Sequence, residues 1–244
     1  MLKISLKFWH LQKIKGDFLI DIVFPNGNEL NFIRMAEKLG YNSLCFVYNF
    51  KINLRAIREN ISLIQKETKI KLYLGLLSDA KNVSKSKKFC DIVLVEATGD
   101  DQVLFERIKP DIVYNLELAA RKDSLHFRNS GLNQVLCRFA AENKIIVGFS
   151  FNSILNFKNR ILLLGRIIQN IGLCRKYKIE TCFASFAKMP YEMRAYHDLI
   201  SFLIVLGMHA SKAKKSLLSV LERVKLNIKK KSSEYIGEGV EIVG

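Results

Sequence analysis

Four basic or titratable-cation side chains crowd one short stretch of this chain. The segment "ARKDSLHFRNSG" carries Arg121, Lys122, His126 and Arg128. It separates an apolar run that ends in Glu117 from a helical pattern that begins at Leu132. Ser130 or Asn129 can cap that helix, which leaves backbone N–H groups beside the arginines. A helix start flanked by guanidinium groups suits a phosphate. The competing reading pairs Asp123 with Arg128 locally and leaves a merely solvated loop.

Other chemistries find less support. The four histidines, His10, His126, His197 and His209, show no i, i+2 or i+4 pairing. A dinuclear hydrolase barrel needs several His and Asp ligands at strand ends, and the first strand ends "DIVFPN" without them. Asp21 in that strand reads as a hydrogen-bonded structural residue, and no metal site is expected. Glu96 and Glu117 both close apolar runs and could converge as an acid/base pair. "GFSF" around Ser150 and "ASFA" around Ser185 lack the glycines of a nucleophile elbow, so these serines read as packing or capping residues. "GEGVEIVG" near the end lacks the third glycine and the following helix of a phosphate loop.

The whole chain leans the same way as the loop. Lys and Arg total 39 against 23 Asp and Glu, a formal charge of +16. Such an excess attracts polyanions, with nucleic-acid backbones the commonest partner. The longest apolar run, Leu199–Met208, is too short to cross a bilayer, so no membrane partner is expected. The first 18 residues, "MLKISLKFWHLQKIKGDF", lack the apolar centre of a secretion signal. Five dispersed cysteines with no CxxC pair fit buried thiols in a cytoplasmic protein.

The elements that must position these residues alternate. Short apolar runs at Phe18–Phe24, Ser43–Tyr48, Lys71–Leu77, Asp91–Ala97, Asp111–Glu117, Lys144–Phe151 and Glu180–Ala187 read as strands. Helical patterns follow them: "ELNFIRMAEKLG", "LRAIRENISLIQKET", a short turn in "DDQVLFERI", "LNQVLCRFAAEN" and "NRILLLGRIIQNIGLCRKY". Two more lie near His197–Gly207 and Lys212–Val224, and "KNVSKSKK" reads as loop or weak helix. The strands are continuously apolar, as buried parallel strands are. Repeated βα units of this kind predict an α/β fold, either a barrel or a doubly wound sheet. The short units and the absence of a glycine-rich first turn favour a TIM-like (β/α) barrel in a single domain over residues 1–224. Residues 225–244 then form a basic linker and C-terminal extension. In "LNQVLCRFAAEN", Leu132, Val135, Leu136 and Phe139 supply a buried face. In the long helix, Arg160 and Arg166 fall about 120° apart, so they do not share one stripe.

Three blocks resemble a known family. "FRNSGLNQVLCRFAAENKIIVGFSF", "NRILLLGRIIQNIGLCRKYKIETCFASFA" and "MRAYHDLISFLIVLGMHASKAKKSLLS" look like the archaeal and eukaryotic RNase P protein of the thirty-kilodalton class, component three in archaea. The terminal "GEGVEIV" is similar to the family's usual ending. The resemblance implies a TIM-like barrel related to polymerase-and-histidinol-phosphatase metal hydrolases but without their metal site. It implies a subunit of ribonuclease P, the particle that removes the 5′ leader of precursor tRNA. In that particle the RNA cuts with Mg²⁺, and this protein binds no cofactor and is itself non-catalytic. Partners implied are the RNase P RNA and a small Pop-five-type subunit, as a 2:2 heterotetramer, with precursor tRNA as the particle's substrate. The chain's length favours an archaeal, cytoplasmic form; a eukaryotic form would sit in the nucleus or nucleolus. Arg128 occupies the arginine of the R-x-S-G motif and Arg160 the arginine that opens the long helix. Candidate RNA contacts are Arg128, Lys122, Asn129, Arg138 and Arg160. Gln134 stands where relatives often have histidine. The runner-up is a stand-alone barrel phosphoesterase or lyase using Glu96 and Glu117.

Overall fold

The computed structural model describes residues 19–51, 53–232, 235–237 and 240–241. The segment read above as lacking a secretion signal, His10, Phe18 and the rest of residues 1–18 lie outside it, as do parts of "GEGVEIVG".

Seven strands form one sheet in chain order, every neighbouring pair parallel: β1 Ile20–Val23, β2 Ser43–Asn49, β3 Lys71–Leu77, β4 Ile92–Glu96, β5 Ile112–Tyr114, β6 Ile146–Ser150 and β7 Thr181–Ala184. The sheet curls until β1 meets the exit of β7 through a single bridge, Val23 to Ala187, where the Phe24 N–H donates to the Ala187 carbonyl over 2.8 Å. The Asp21 carboxylate reinforces this seam, accepting the Ser185 N–H at 2.7 Å and the Ile22 N–H at 2.9 Å. It is wholly buried, and burial pushes its carboxyl up to about 6 against the lowering from those bonds. The structural reading of Asp21 holds, and the result is a TIM-like α/β barrel.

The helices wrap the outside: α1 Glu29–Leu39, α2 Leu54–Gln65, α3 Val83–Phe89, α4 Gln134–Glu142, α5 Phe151–Asn156, α6 Arg160–Tyr177, α7 Tyr196–Val205 and α8 Ala210–Lys231. "KNVSKSKK" therefore supplies a helix, and "DDQVLFERI" a short wide turn at Leu104–Ile108. Phe151, expected in the strand, instead opens α5, because the Ser150 hydroxyl accepts the Ser153 N–H and starts a helix there. The last helix also outruns its expected end at Val224. Residues 225–231, expected to begin a basic linker, are helical. The lysines that close α8 sit where the helix dipole favours positive charge. Beyond it, β8 Tyr235–Gly237 and β9 Val240–Glu241 form a small antiparallel pair.

Alternation along the strands divides the core. Ile22, Cys45, Leu94, Ile112 and Cys182 point into the barrel. Val23, Phe46, Val93, Val113 and Phe183 point out against the helices. α8 crosses the N-terminal ends of the strands and contributes Val220, Leu221 and Val224 to the interior. Each such aliphatic group stabilises by about 1.5–3 kcal/mol when removed from water. At the opposite end, the rings of Phe24, Tyr114 and Phe186 fill the mouth, with Tyr114 and Phe186 stacked at 5.0 Å. All five cysteines are buried free thiols. Among the described residues, no helix is long and apolar enough to cross a membrane.

Candidate nucleic-acid interface

The basic loop leaves the C-terminal end of β5, and a buried arginine organises it. Arg166 projects from α6 and is fully buried. Its Nε and Nη2 both lie 2.8 Å from Asp123 Oδ1, and its Nη1 donates to the carbonyls of Glu117 at 2.8 Å and Ala120 at 2.6 Å. Asp123 then accepts the Asn129 N–H at 2.9 Å. Desolvation works against this carboxylate, but the bonds from Asn129 and Arg166 and the nearby Arg128 charge outweigh it and lower its pKa. The Asn129 amide closes the loop on the Lys122 carbonyl at 2.8 Å, and Asn170 from α6 holds the Ser130 carbonyl at 2.7 Å.

Helix α4 does not begin where the capping chemistry of Asn129 or Ser130 would place it. Asn133 is the cap, its side chain accepting the Leu136 N–H at 2.9 Å. Asn129 is committed to the loop and Ser130 is buried under it. Gly131 has φ +82°, and a Cβ there would stand 2.0 Å from the Leu116 carbonyl oxygen. Only glycine allows the chain this close approach. On α4, Leu136, Cys137 and Ala140 face the core, joined by Leu132 just before the cap and with Phe139 packed at the edge, whereas Val135 is exposed.

Arg128 is braced within the protein. Its Nη1 donates to the Gly165 carbonyl at 2.9 Å, and its Nε stands 3.9 Å from Asp123 Oδ2. The local pairing with Asp123 is therefore present. The side chain nevertheless keeps 48% of its surface exposed, so the guanidinium is held in place with a face toward solvent. Lys122 is exposed beside it, and Asn129 is partly buried. Arg160 is exposed at the start of α6, where its Nη2 folds back on the Leu155 carbonyl at 2.9 Å. Five residues before Gly165, it lies about 140° round the helix from the Arg128 contact. Arg138 is exposed on α4, and among the described residues no ion pair or hydrogen bond joins it to the loop. The fold brings together Arg128, Lys122 and Asn129, and leaves Arg138 and Arg160 outside that group. Leu125, Phe127 and Ile161 add apolar surface nearby, exposed at 93%, 64% and 88%.

Arg166, Asp123, Asn170 and Gly165 were not legible as loop organisers. One signal existed for the last. Glycine inside a helix is costly unless something approaches closely, and here the Arg128 guanidinium does, 3.0 Å from where a Cβ would be.

The two carboxylates considered as an acid/base pair face different surroundings. Glu96 is exposed, accepts the Asn115 amide at 2.7 Å and lines a cavity of about 760 Å³ at the C-terminal ends of β2, β3 and β4. Glu117 does not line that cavity; it is fully buried beside Arg166, and neither carboxyl oxygen has a hydrogen-bond partner among the described residues. Burial pushes its pKa up to about 7, against the lowering influence of Arg166. The folded protein therefore holds this proton more tightly than the unfolded chain does. Stability falls as pH rises from about 4.5 to 7, by as much as about 3 kcal/mol from this group alone, and is flat above. Glu117→Gln should remove that slope and stand about 1–3 kcal/mol above wild type at pH 8. Urea midpoints measured for both proteins from pH 5 to pH 8 check it; parallel curves would refute it. Among the described residues, no group of three or more His, Cys, Asp or Glu is placed to hold a metal ion.

The family profile "RNase P subunit p30" matches residues 20–233, nearly the whole described barrel. The chain belongs to that family. Ribonuclease P protein component 3 of Methanosarcina mazei is 30% identical over 118 residues, covering 48% of this chain and 49% of the relative. The matched region thus spans about half the length of that relative. The Methanococcus maripaludis protein of the same name is 27% identical over 242 residues, covering 94% of this chain and 99% of its own. In the cryo-EM structure of archaeal ribonuclease P with mature tRNA, one chain superposes with TM-score 0.78 at 24% identity, over 92% of this chain and 98% of that one. For this p30-family chain, that likeness establishes the barrel fold.

Proposed function

We propose that this chain is a protein subunit of ribonuclease P and that it binds and steadies the RNA that cleaves the 5′ leader from precursor tRNA. The family match over residues 20–233 carries the reading. The loop supports it: a half-exposed guanidinium, braced on Gly165 and beside Lys122, is preorganised to position a phosphate without ordering itself first. Cleavage with Mg²⁺ then belongs to the RNA, and the protein contributes placement and charge neutralisation. Gln134 is exposed at the start of α4 and can hydrogen-bond RNA, though it cannot supply an imidazole. The exposed Leu125, Phe127 and Ile161 suit a protein neighbour, which on this reading is the small Pop-five-type subunit in a 2:2 arrangement. An archaeal particle of this kind works in the cytoplasm.

Arg128→Ala should weaken RNA affinity about tenfold and reduce the slope of log affinity against log salt by about 0.7–0.9, the signature of one lost phosphate contact. Reconstituted particles at limiting Mg²⁺ should then cleave precursor tRNA more slowly. Cleavage equal to wild type under those conditions would exclude Arg128 as a positioning contact.

A further inference from the structure

Two cavities at opposite ends of the barrel carry opposite charge. The cavity at the C-terminal ends of β2, β3 and β4 is lined by Asp79, Glu96, Asp100 and Asp101, with Lys51 as its cation. At the N-terminal ends of β4, β5 and β6, a second cavity of about 360 Å³ is lined by Lys87, Lys109, Lys144, Arg223, Lys230 and Lys231, with Asp111 as its carboxylate. The second cavity gathers six cations around one carboxylate.

Part of this gathering is structural. Arg223 bridges Asp111 at 3.5 Å and Glu180 at 3.8 Å and donates to the Lys144 carbonyl. Asp111 Oδ2 is occupied by the Val93 N–H at 2.9 Å. Lys87 Nζ donates to the Lys109 carbonyl at 2.6 Å, and Lys231 Nζ to the Cys90 carbonyl. Each of these two ammonium groups keeps further N–H donors beyond the bond described. Lys109 and Lys230 are exposed on the rim, and among the described residues no carbonyl or carboxylate holds either ammonium. Lys109 and Lys144 both adopt positive φ, 55° and 54°, and these turns bring their residues to the cavity. Burial lowers the Lys87 pKa; Asp111 opposes the shift, and the charges of Arg223 and Lys230 add to it. The cations repel one another, so an anion with several oxygens placed among them relieves that repulsion.

We propose that this cavity is a second phosphate seat, one that takes a phosphodiester of the bound RNA at the barrel end opposite the Arg128 loop. The proposal rests on the RNA-binding reading above and adds a contact that reading does not contain. The chain would then hold two separate stretches of RNA backbone, one at each end of the barrel.

The test uses the full chain and the RNase P RNA transcribed from the same genome, with affinity measured between about 50 and 200 mM salt. Lys109→Gln combined with Lys230→Gln should weaken binding about tenfold and reduce the log–log salt slope by about 1–2. The Arg substitutions at both positions should restore it. Lys38→Gln with Lys66→Gln removes the same charge from exposed positions outside the cavity and should change affinity less than about threefold. Both side chains of the cavity pair are exposed, and melting temperatures near wild type verify that the fold is intact. If the cavity pair binds RNA like wild type while Arg128→Ala does not, the second seat is refuted and the RNA reading stands. If the wild-type chain binds no RNA, both fall. Equal losses in the control pair would also overturn the seat, by reducing it to bulk charge. Inorganic tripolyphosphate forms the last arm: if it raises the melting temperature of wild type alone while RNA affinity is the same in both, the cavity serves a small anion and the proposal fails.

Discussion

Arg166→Met should lower the unfolding free energy by about 3–5 kcal/mol and loosen the loop that carries Arg128. The arginine is fully buried, and its guanidinium makes contacts to three acceptors, the Asp123 carboxylate and the carbonyls of Glu117 and Ala120. Methionine fills similar volume but donates nothing, so two carbonyls lose the donor they share and the Asp123 carboxylate loses its buried ion pair, keeping the Asn129 N–H and the half-exposed Arg128. The change reaches further, because Arg166 is also the cation that holds the Glu117 pKa down. Lysine is no substitute, since a single ammonium cannot span the fork that the guanidinium spans. Urea unfolding reads the stability, and trypsin reads the loop, where Arg121 and Lys122 offer cleavage sites that the rigid loop protects. An Arg166→Met variant within about 1 kcal/mol of wild type, with the loop still resistant, would show that the buried arginine is dispensable.

Gly131→Ala should cost about 3 kcal/mol or more. Two penalties combine there. An alanine at φ +82° pays the left-handed strain of about 1–2 kcal/mol. Its Cβ would also stand 2.0 Å from the Leu116 carbonyl oxygen and 2.6 Å from its carbon, so the backbone of the Leu116–Leu118 turn must move. That turn carries Glu117, whose carbonyl anchors Arg166, so the displacement is transmitted to the same loop. Gly40→Ala separates the two penalties. Gly40 has φ +80° and nothing within 4 Å of its added Cβ, so it bears the strain alone. Denaturant midpoints that fall equally in both variants would show that the clash is relieved at no cost.

The strands were legible because their signal is local: continuous apolar runs, each followed by a helical period, give seven βα units in order. Closure was legible only indirectly, from the short units and the missing glycine-rich first turn, since it depends on one bridge at Val23 and on the Asp21 carboxylate reaching Ser185, 164 residues away. The loop shows the same division. Gly131 could be read from its residue type, whereas the cap could not. Asn129, Ser130 and Asn133 are all capping residues by chemistry, and the choice fell to Asn133 because α6 and Asp123 bind the other two. The brace on Arg128 was hidden for a related reason, its acceptor Gly165 being 37 residues on. A fully buried arginine runs against every compositional expectation, and Asp123, 43 residues earlier, is what makes it possible. Val135 obeys the helical period but sits on the rim of the buried face, where periodicity gives no edge.

The rings of Phe24, Tyr114 and Phe186 fill the end of the barrel at which enzymes of this shape build their active sites. A solid barrel resists compression, because close-packed interiors have little volume to give up. Mechanically the chain is a stiff block of fixed length. Whatever is clamped to its outer surface has its separation dictated by protein geometry, and a flexible polymer folded against such a block inherits a distance that it could not keep alone.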